Sequence, residues 1–158
     1  MRQLTRARGL TLIELAVTLA ISAILVGMAS PYFGGFISNS RMREGGNMLM
    51  SEALFAQSEA IKRNGGIRLA IAGDTVSLID TSAAPPVTLR SRSLASGLAA
   101  STVNVDFGSN GMLTPFGTEA VVNLSLAGTT CSAEQRCPGL RIDAGGGVRL
   151  CANYLSCP

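Results

Sequence analysis

One carboxylate constrains what the first thirty residues of this chain can become. Glu14 is the only charged residue in the run Leu10–Ser30 (LTLIELAVTLAISAILVGMAS). As a helix that run measures about 31 Å at 1.5 Å per residue, enough to cross the hydrocarbon core of a bilayer. An ionised side chain inside such a span is costly unless it meets a partner. Ahead of the run, Met1–Gly9 (MRQLTRARG) carries Arg2, Arg6 and Arg8 and no acid. Positive charge on that side keeps the N-terminus cytoplasmic and sends the rest of the chain across.

Three readings fit a basic leader joined to an apolar stretch. One is a plain transmembrane anchor. The second is a secretory signal peptide cut near the small residues Gly27 and Ala29, with Pro31 just beyond. The third is a leader cut before the apolar stretch, at the Gly9–Leu10 junction. Only the third gives Gly9 and Glu14 a reason. Cleavage there leaves a new cationic amine on Leu10. In a helical filament, Glu14 of one subunit can pair with that amine on a neighbour, so that each buried charge compensates the other.

The stretch GLTLIELAVTLAISAILVGMASP (9–31) resembles the N-terminus of type IV pilins and type II secretion pseudopilins. The resemblance implies cleavage by a prepilin peptidase between Gly9 and Leu10 and N-methylation of Leu10. It also implies a subunit-docking role for Glu14 and a helix kink at Pro31, which removes one ladder hydrogen bond and crowds the preceding turn. Leu10 stands where the family usually has Phe.

The chain has 158 residues, which suits one globular domain plus its anchor. The formal net charge is +3, and the three leader arginines supply all of it. A chain cut after Gly9 is therefore about neutral, which argues against a strongly basic nucleic-acid surface. There is no His, the usual general base and metal ligand. No phosphate-binding loop or paired catalytic carboxylates are legible either. The expectation is a non-enzymatic protein without cofactor or metal.

Helical spacing continues past Pro31. Met42, Leu49, Ala53, Ala56, Ala60 and Ile61 form one stripe, with Arg41, Arg43, Glu52, Glu59 and Lys62 expected elsewhere on the wheel. Gly45-Gly46 interrupts the pattern, either as a tolerated weak spot or as a flexible point used on entering a filament. Asn64-Gly65-Gly66 ends the helix, with glycine expected at the left-handed cap. From Ile67 the period changes to two. Ile67–Ile71 and Val76–Leu78 flank a Gly73-Asp74 turn and read as a hairpin. Residues 81–101 read as a loop with one strand at Val87–Arg90. Further strands are expected at Val103–Phe107, Val121–Leu126, Leu140–Asp143 and Val148–Cys151, the last two joined by Ala144-Gly145-Gly146-Gly147.

Cys131, Cys137, Cys151 and Cys157 all fall on the side expected to be oxidising, which suggests two disulfides. Local pairing (131–137 and 151–157), nested pairing (131–157 and 137–151) and the crossed pairing all remain open. Zinc is disfavoured by the lack of C-x-x-C and of His.

SEALFAQSEAIKRN (51–64), VNVDFGSNGMLTP (103–115) and GGGVRLC (145–151) resemble the GspH/FimT group of minor pilins and pseudopilins. The resemblance implies an α+β pilin-like fold, a long N-terminal α-helix packed on an antiparallel β-sheet domain. Its expected parts are a leader (1–9), a transmembrane or filament-core half-helix (10–30), an amphipathic half-helix (31–64) and a periplasmic β-rich domain with a cysteine-bearing tail (65–158). It implies a single-pass inner-membrane protein that can enter an extracellular pilus. The implied partners are other pilins or pseudopilins, the prepilin peptidase and the inner membrane. Some members of the group bind DNA through a Gly-Arg-x-Arg motif in the last hairpin. Here the matching stretch is Gly146-Gly147-Val148-Arg149, with Gly147 in place of the first arginine. Arg149, with Arg141 and Arg136, would then carry weak DNA binding.

Overall fold

The computed structural model describes residues 11–157, and for residues 29–32 it describes the backbone alone. One helix, α1 (Leu12–Arg63), is followed by seven strands. These are β1 (Ile67–Gly73), β2 (Thr75–Asp80), β3 (Val87–Ser93), β4 (Leu98–Phe107), β5 (Ala120–Leu126), β6 (Gly139–Ile142) and β7 (Val148–Cys151). A single 3-10 turn follows at Tyr154–Ser156. The strands form one antiparallel sheet in the order β3-β2-β1-β4-β5-β6-β7. The chain divides into two compact units between Phe36 and Ile37.

In the second unit, residues 37–63 of α1 and the sheet enclose one core. The helix contributes Met42, Leu49, Ala53, Ala56 and Ala60. The strands contribute alternate residues, among them Ile67, Leu69, Ile71, Val76, Leu78, Val105, Phe107, Val122, Leu124, Leu140 and Ile142. A period of two on each strand puts these on one face. The opposite face of β1 and β4 carries a cross-strand ion pair. Arg68 Nε donates to Asp106 Oδ1 at 2.7 Å and Nη2 to Oδ2 at 3.0 Å.

Several expectations are corrected. α1 runs without a break through Gly45 and Gly46, and both are buried. They are there for closeness. A Cβ on Gly45 would come within 2.8 Å of Leu98 Cδ1 and 2.9 Å of Leu124 Cδ2, and one on Gly46 within 2.9 Å of Pro138 Cβ. Neither a weak spot nor a flexible point is needed to explain them. Ile61, placed in the core stripe by spacing, is exposed, whereas Glu52 and Glu59 are buried. The helix ends in a Schellman motif, with Gly65 N donating to Ala60 O and Asn64 N to Ile61 O. The left-handed residue is Asn64 (φ 52°), not a glycine. The loop expected over 81–101 is largely strand. β3 extends to Ser93, and β4 begins at Leu98, five residues before Val103. Leu98 and Ala100 point into the core there, but the surrounding Ser and Ala residues hide the alternation.

The buried acids each have partners. Arg90 Nη2 and Arg92 Nη1 on β3 approach Glu52 Oε1 at 3.2 and 3.4 Å. Glu52 Oε2 is buried with no hydrogen-bond partner among the described residues. Arg90 also lies 5.1 Å from the centroid of the Phe55 ring, a cation–π distance. Arg63 joins Glu59 (2.7 Å) to Asp80 (3.5 Å), and Lys62 reaches Glu59 at 3.3 Å. The Arg63 hydrogen bond holds the Glu59 carboxyl below its ordinary 4.5. The Ser82 hydroxyl does the same for Asp80, ordinarily 3.8.

Two outcomes follow for residues 37–158. Gly46→Ala should lower stability by about 1–3 kcal/mol, because the Pro138 ring cannot turn aside. Gly45→Ala should cost less, since two leucine tips can move and alanine favours a helix over glycine by about 1 kcal/mol. Urea denaturation of both variants checks the order, and equal losses would contradict it. For Glu59 and Asp80 the folded pKa is depressed, so their stabilisation is present above the ordinary carboxylate range and is lost as pH falls through the folded values. Melting temperature should therefore fall as pH drops below the ordinary carboxylate range, less steeply in Glu59→Gln. Parallel curves for the two proteins would remove this network from the acid response.

Candidate assembly site

α1 begins where it does because Thr11 and Glu14 satisfy its first backbone donors. Glu14 N donates to Thr11 Oγ1 at 3.3 Å. Thr11 N and Thr11 Oγ1 both donate to Glu14 Oε2 at 2.9 Å. This is the reciprocal three-residue spacing of a capping box. Within this copy Glu14 is thus tied to the helix start. The residues that follow are exposed on every side of the helix, including Leu12, Ile13, Leu15, Val17, Leu19, Ile21, Ile24, Leu25, Val26 and Met28. Thr18 and Ser22 turn their hydroxyls back onto the carbonyls of Leu15 (2.9 Å) and Thr18 (2.7 Å). A helix that is apolar all round belongs in a membrane or in the centre of an assembly. Among the described residues no single helix is long and apolar enough to cross a membrane. Leu12–Met28 taken with Phe33–Arg63 is, by length and composition. Gly9 and Leu10 lie outside the described residues. Pro31 lies within the bounds of α1, and its side chain is outside the description.

At the other end of the chain, the cysteines pair locally. Cys131–Cys137 and Cys151–Cys157 have Cα–Cα distances of 5.6 and 5.7 Å. The two small loops hold each other. Asn153 Nδ2 donates to Ser132 O, and Tyr154 N to Cys137 O, both at 2.7 Å. The first loop also holds the helix, where Gln135 Nε2 donates to Ser38 Oγ (3.0 Å) and Asn39 Oδ1 (3.2 Å).

β6 and β7 pair so that Arg141 stands directly opposite Arg149. Arg141 Nη1 donates to Asn123 Oδ1 at 3.0 Å and to Leu140 O at 3.1 Å. Arg149 is exposed. No ion pair with an acid involves either arginine among the described residues. Arg136 is exposed on the first disulfide loop, beside a cleft that Ala133, Asn153 and Leu155 also line. No hydrogen bond joins it to the other two.

Gln57 fixes the turn that precedes β7. Its Nε2 donates to Gly111 O and to Gly146 O, both at 2.9 Å. Gly146 has φ +83°, and a Cβ there would strike Gly111 O and Gln57 Nε2. This glycine is therefore explained by packing. Sequence reasoning overlooked Gln57 and the Glu52–Arg90–Arg92 cluster. The spacing did hold a signal for Glu52, which falls three residues after Leu49 and beside Ala53, on the buried face. Nothing comparable marked Gln57. Among the described residues, no group of three His, Cys, Asp or Glu could hold a metal ion.

Residues 4–30 match the family model described as the prokaryotic N-terminal methylation motif. No curated protein matches the chain in sequence. Among solved structures, the type IV minor pilin FimU of Pseudomonas aeruginosa is similar in two crystal forms. One gives a TM-score of 0.60 at 21% identity, covering 73% of this chain and 91% of that one. The other gives 0.56 at 22% identity, covering 68% and 90%. The chain is thus pilin-like on two independent grounds, a methylation motif at its N-terminus and the fold of a minor pilin beyond it.

Proposed function

We propose that this chain is a minor subunit of a pilus-like filament, anchored in the inner membrane with its sheet domain in the periplasm. The observation that carries the reading is the union of a methylation motif over residues 4–30 with an all-round apolar half-helix and a self-contained domain. A prepilin peptidase would cut between Gly9 and Leu10, Leu10 would be N-methylated, and Glu14 would exchange its local Thr11 contact for the amine of a neighbouring subunit. Pro31 would let the helix bend as it leaves the membrane. We favour a type IV pilus over a type II secretion pseudopilus on the cysteine-bearing tail; the fold shared with a pilus minor pilin is common to both.

Full-length Glu14→Ala should still lose its leader while failing to copurify with sheared filaments. Mass spectrometry of the N-terminus and an immunoblot of the filament fraction read the two steps. Undiminished copurification would refute the docking role.

A second reading, DNA binding during uptake, has one observation in its favour. Arg141 and Arg149 are neighbouring cations that no acid neutralises among the described residues. Gly147 in place of the motif's first arginine weakens it, since a protein that neutralises fewer phosphates binds less tightly and with a flatter salt dependence. This reading expects residues 37–158 to shift a duplex oligonucleotide at low salt, and Arg149→Ala to abolish the shift. No shift, or one unchanged in the variant, discards it.

A further inference from the structure

The two free edges of the sheet are built differently. At one end β3 is guarded. Pro85 and Pro86 precede it, its pairing with β2 shifts register between Leu78 and Ile79, and its inward positions Arg90 and Arg92 are held by buried Glu52. Proline, irregular register and inward-pointing charge are the devices that stop a strand from being added to an edge. β7, at the other end, has no proline, no register shift and no inward-pointing charge; its guards are its four-residue length and the outward Arg149. Its inward side chains are Val148 and Leu150, both half-buried and packed on the core. It is the terminal strand of the sheet, so one side of its backbone has no strand beside it. Asp143 N donates to Gly147 O, so the two-residue alternation of an antiparallel ladder makes Arg141/Arg149 and Gly139/Cys151 the hydrogen-bonded pairs. The N–H and C=O groups of Val148 and Leu150 then face the free edge. Beyond Cys151 the tail turns back toward β6, where Tyr154 N donates to Cys137 O and Tyr154 packs beside Gly139, before Cys157 returns to Cys151.

We propose that β7 is a strand-addition site for an extended segment of a different filament subunit, with an acidic residue between apolar ones. This rests on the assembly reading above and names the surface it would use. An added strand places its own side chains beside those of β7 on each face. Val148 and Leu150 call for apolar neighbours on the inner face. Arg149 calls for an acid on the outer face, and an acid there would also relieve the like-charge opposition of Arg141 and Arg149. A second copy of this chain does not fit. Pairing β7 with another β7 sets Arg149 near Arg149. Pairing β7 with β3 brings Arg90 and Arg92 against the apolar positions Val148 and Leu150. The edge chemistry excludes self-addition and selects a partner of another sequence.

The domain of residues 37–158 suits the test, because every buried apolar residue of the core, from Met42 to Ile142, lies inside it. The probes are two fluorescein-labelled peptides that alternate Val and Thr, one with a single Asp in a Thr position and one with Lys there. By anisotropy the Asp peptide should bind about fivefold more tightly than the Lys peptide. Arg149→Glu should reverse the preference, and it keeps the fold because the new carboxylate faces Arg141. Hydrogen exchange should slow at Val148 and Leu150 when the Asp peptide binds. Equal binding of both peptides, binding of neither, or protection at β3 would overturn the proposal. So would a duplex oligonucleotide that binds Arg149 while the peptides do not. The sample lacks the anchor, so failure here leaves the docking role of Glu14 standing, and failure of Glu14→Ala leaves β7 standing.

Discussion

The strands lie against a helix face built largely of glycine and alanine. α1 turns Gly45, Gly46, Ala53, Ala56 and Ala60 toward the sheet, with Met42 and Leu49 as its two large core side chains. With only Met42 and Leu49 as large core side chains on the helix side, the strands supply the bulk of the core through Ile67, Leu69, Leu78, Phe107, Leu124 and Leu140. Close packing requires this match of small against large, since interiors tolerate neither voids nor overlap. The approach at Gly46 also brings Pro138 and Leu150 onto the helix, which seats the start of β6 and the end of β7. The edge geometry of β7 therefore depends on a glycine more than a hundred residues earlier.

The two units divide the physical tasks. Residues 37–158 hold the buried core, two disulfides and both ion-pair clusters, and need nothing from the preceding helix to bury their apolar side chains. The described side chains of residues 12–28 and 33–36 are the reverse, with their large apolar groups exposed. Such a helix gains its burial from lipid or from other helices. The sole acid between Leu12 and Met28 sits at its very start, where a capping threonine holds it.

Much of this was legible in the sequence because it rests on period and punctuation. The change from helical spacing to alternation at Ile67, the Gly73-Asp74 turn and the closing hairpin around Gly145-Gly147 all appear where local chemistry demanded them. What could not be read depended on partners far along the chain. Gly45 and Gly46 look like breakers until Leu98, Leu124 and Pro138 are seen above them. Glu52 looks like a surface charge until two arginines from β3 meet it. The first four residues of β4, 98–101, lack the β-branched side chains that signal strands, and the neighbouring β1 and β5 hold them in place. At the N-terminus, Thr11 and Glu14 form the cap that their spacing allows.

The disulfide loops have a consequence for how the protein matures. Four thiols permit three pairings, and the one found joins each cysteine to the nearest in sequence, six residues away in both cases. Short loops close at the smallest entropic cost, and the cost grows with the logarithm of length. Random encounter in a still-unfolded tail therefore already favours the native bonds over the nested and crossed alternatives. The bias is a few-fold for the first bond, since doubling a loop's length costs only about 0.6 kcal/mol more. The tail can arrive at the folding domain with its covalent shape already set.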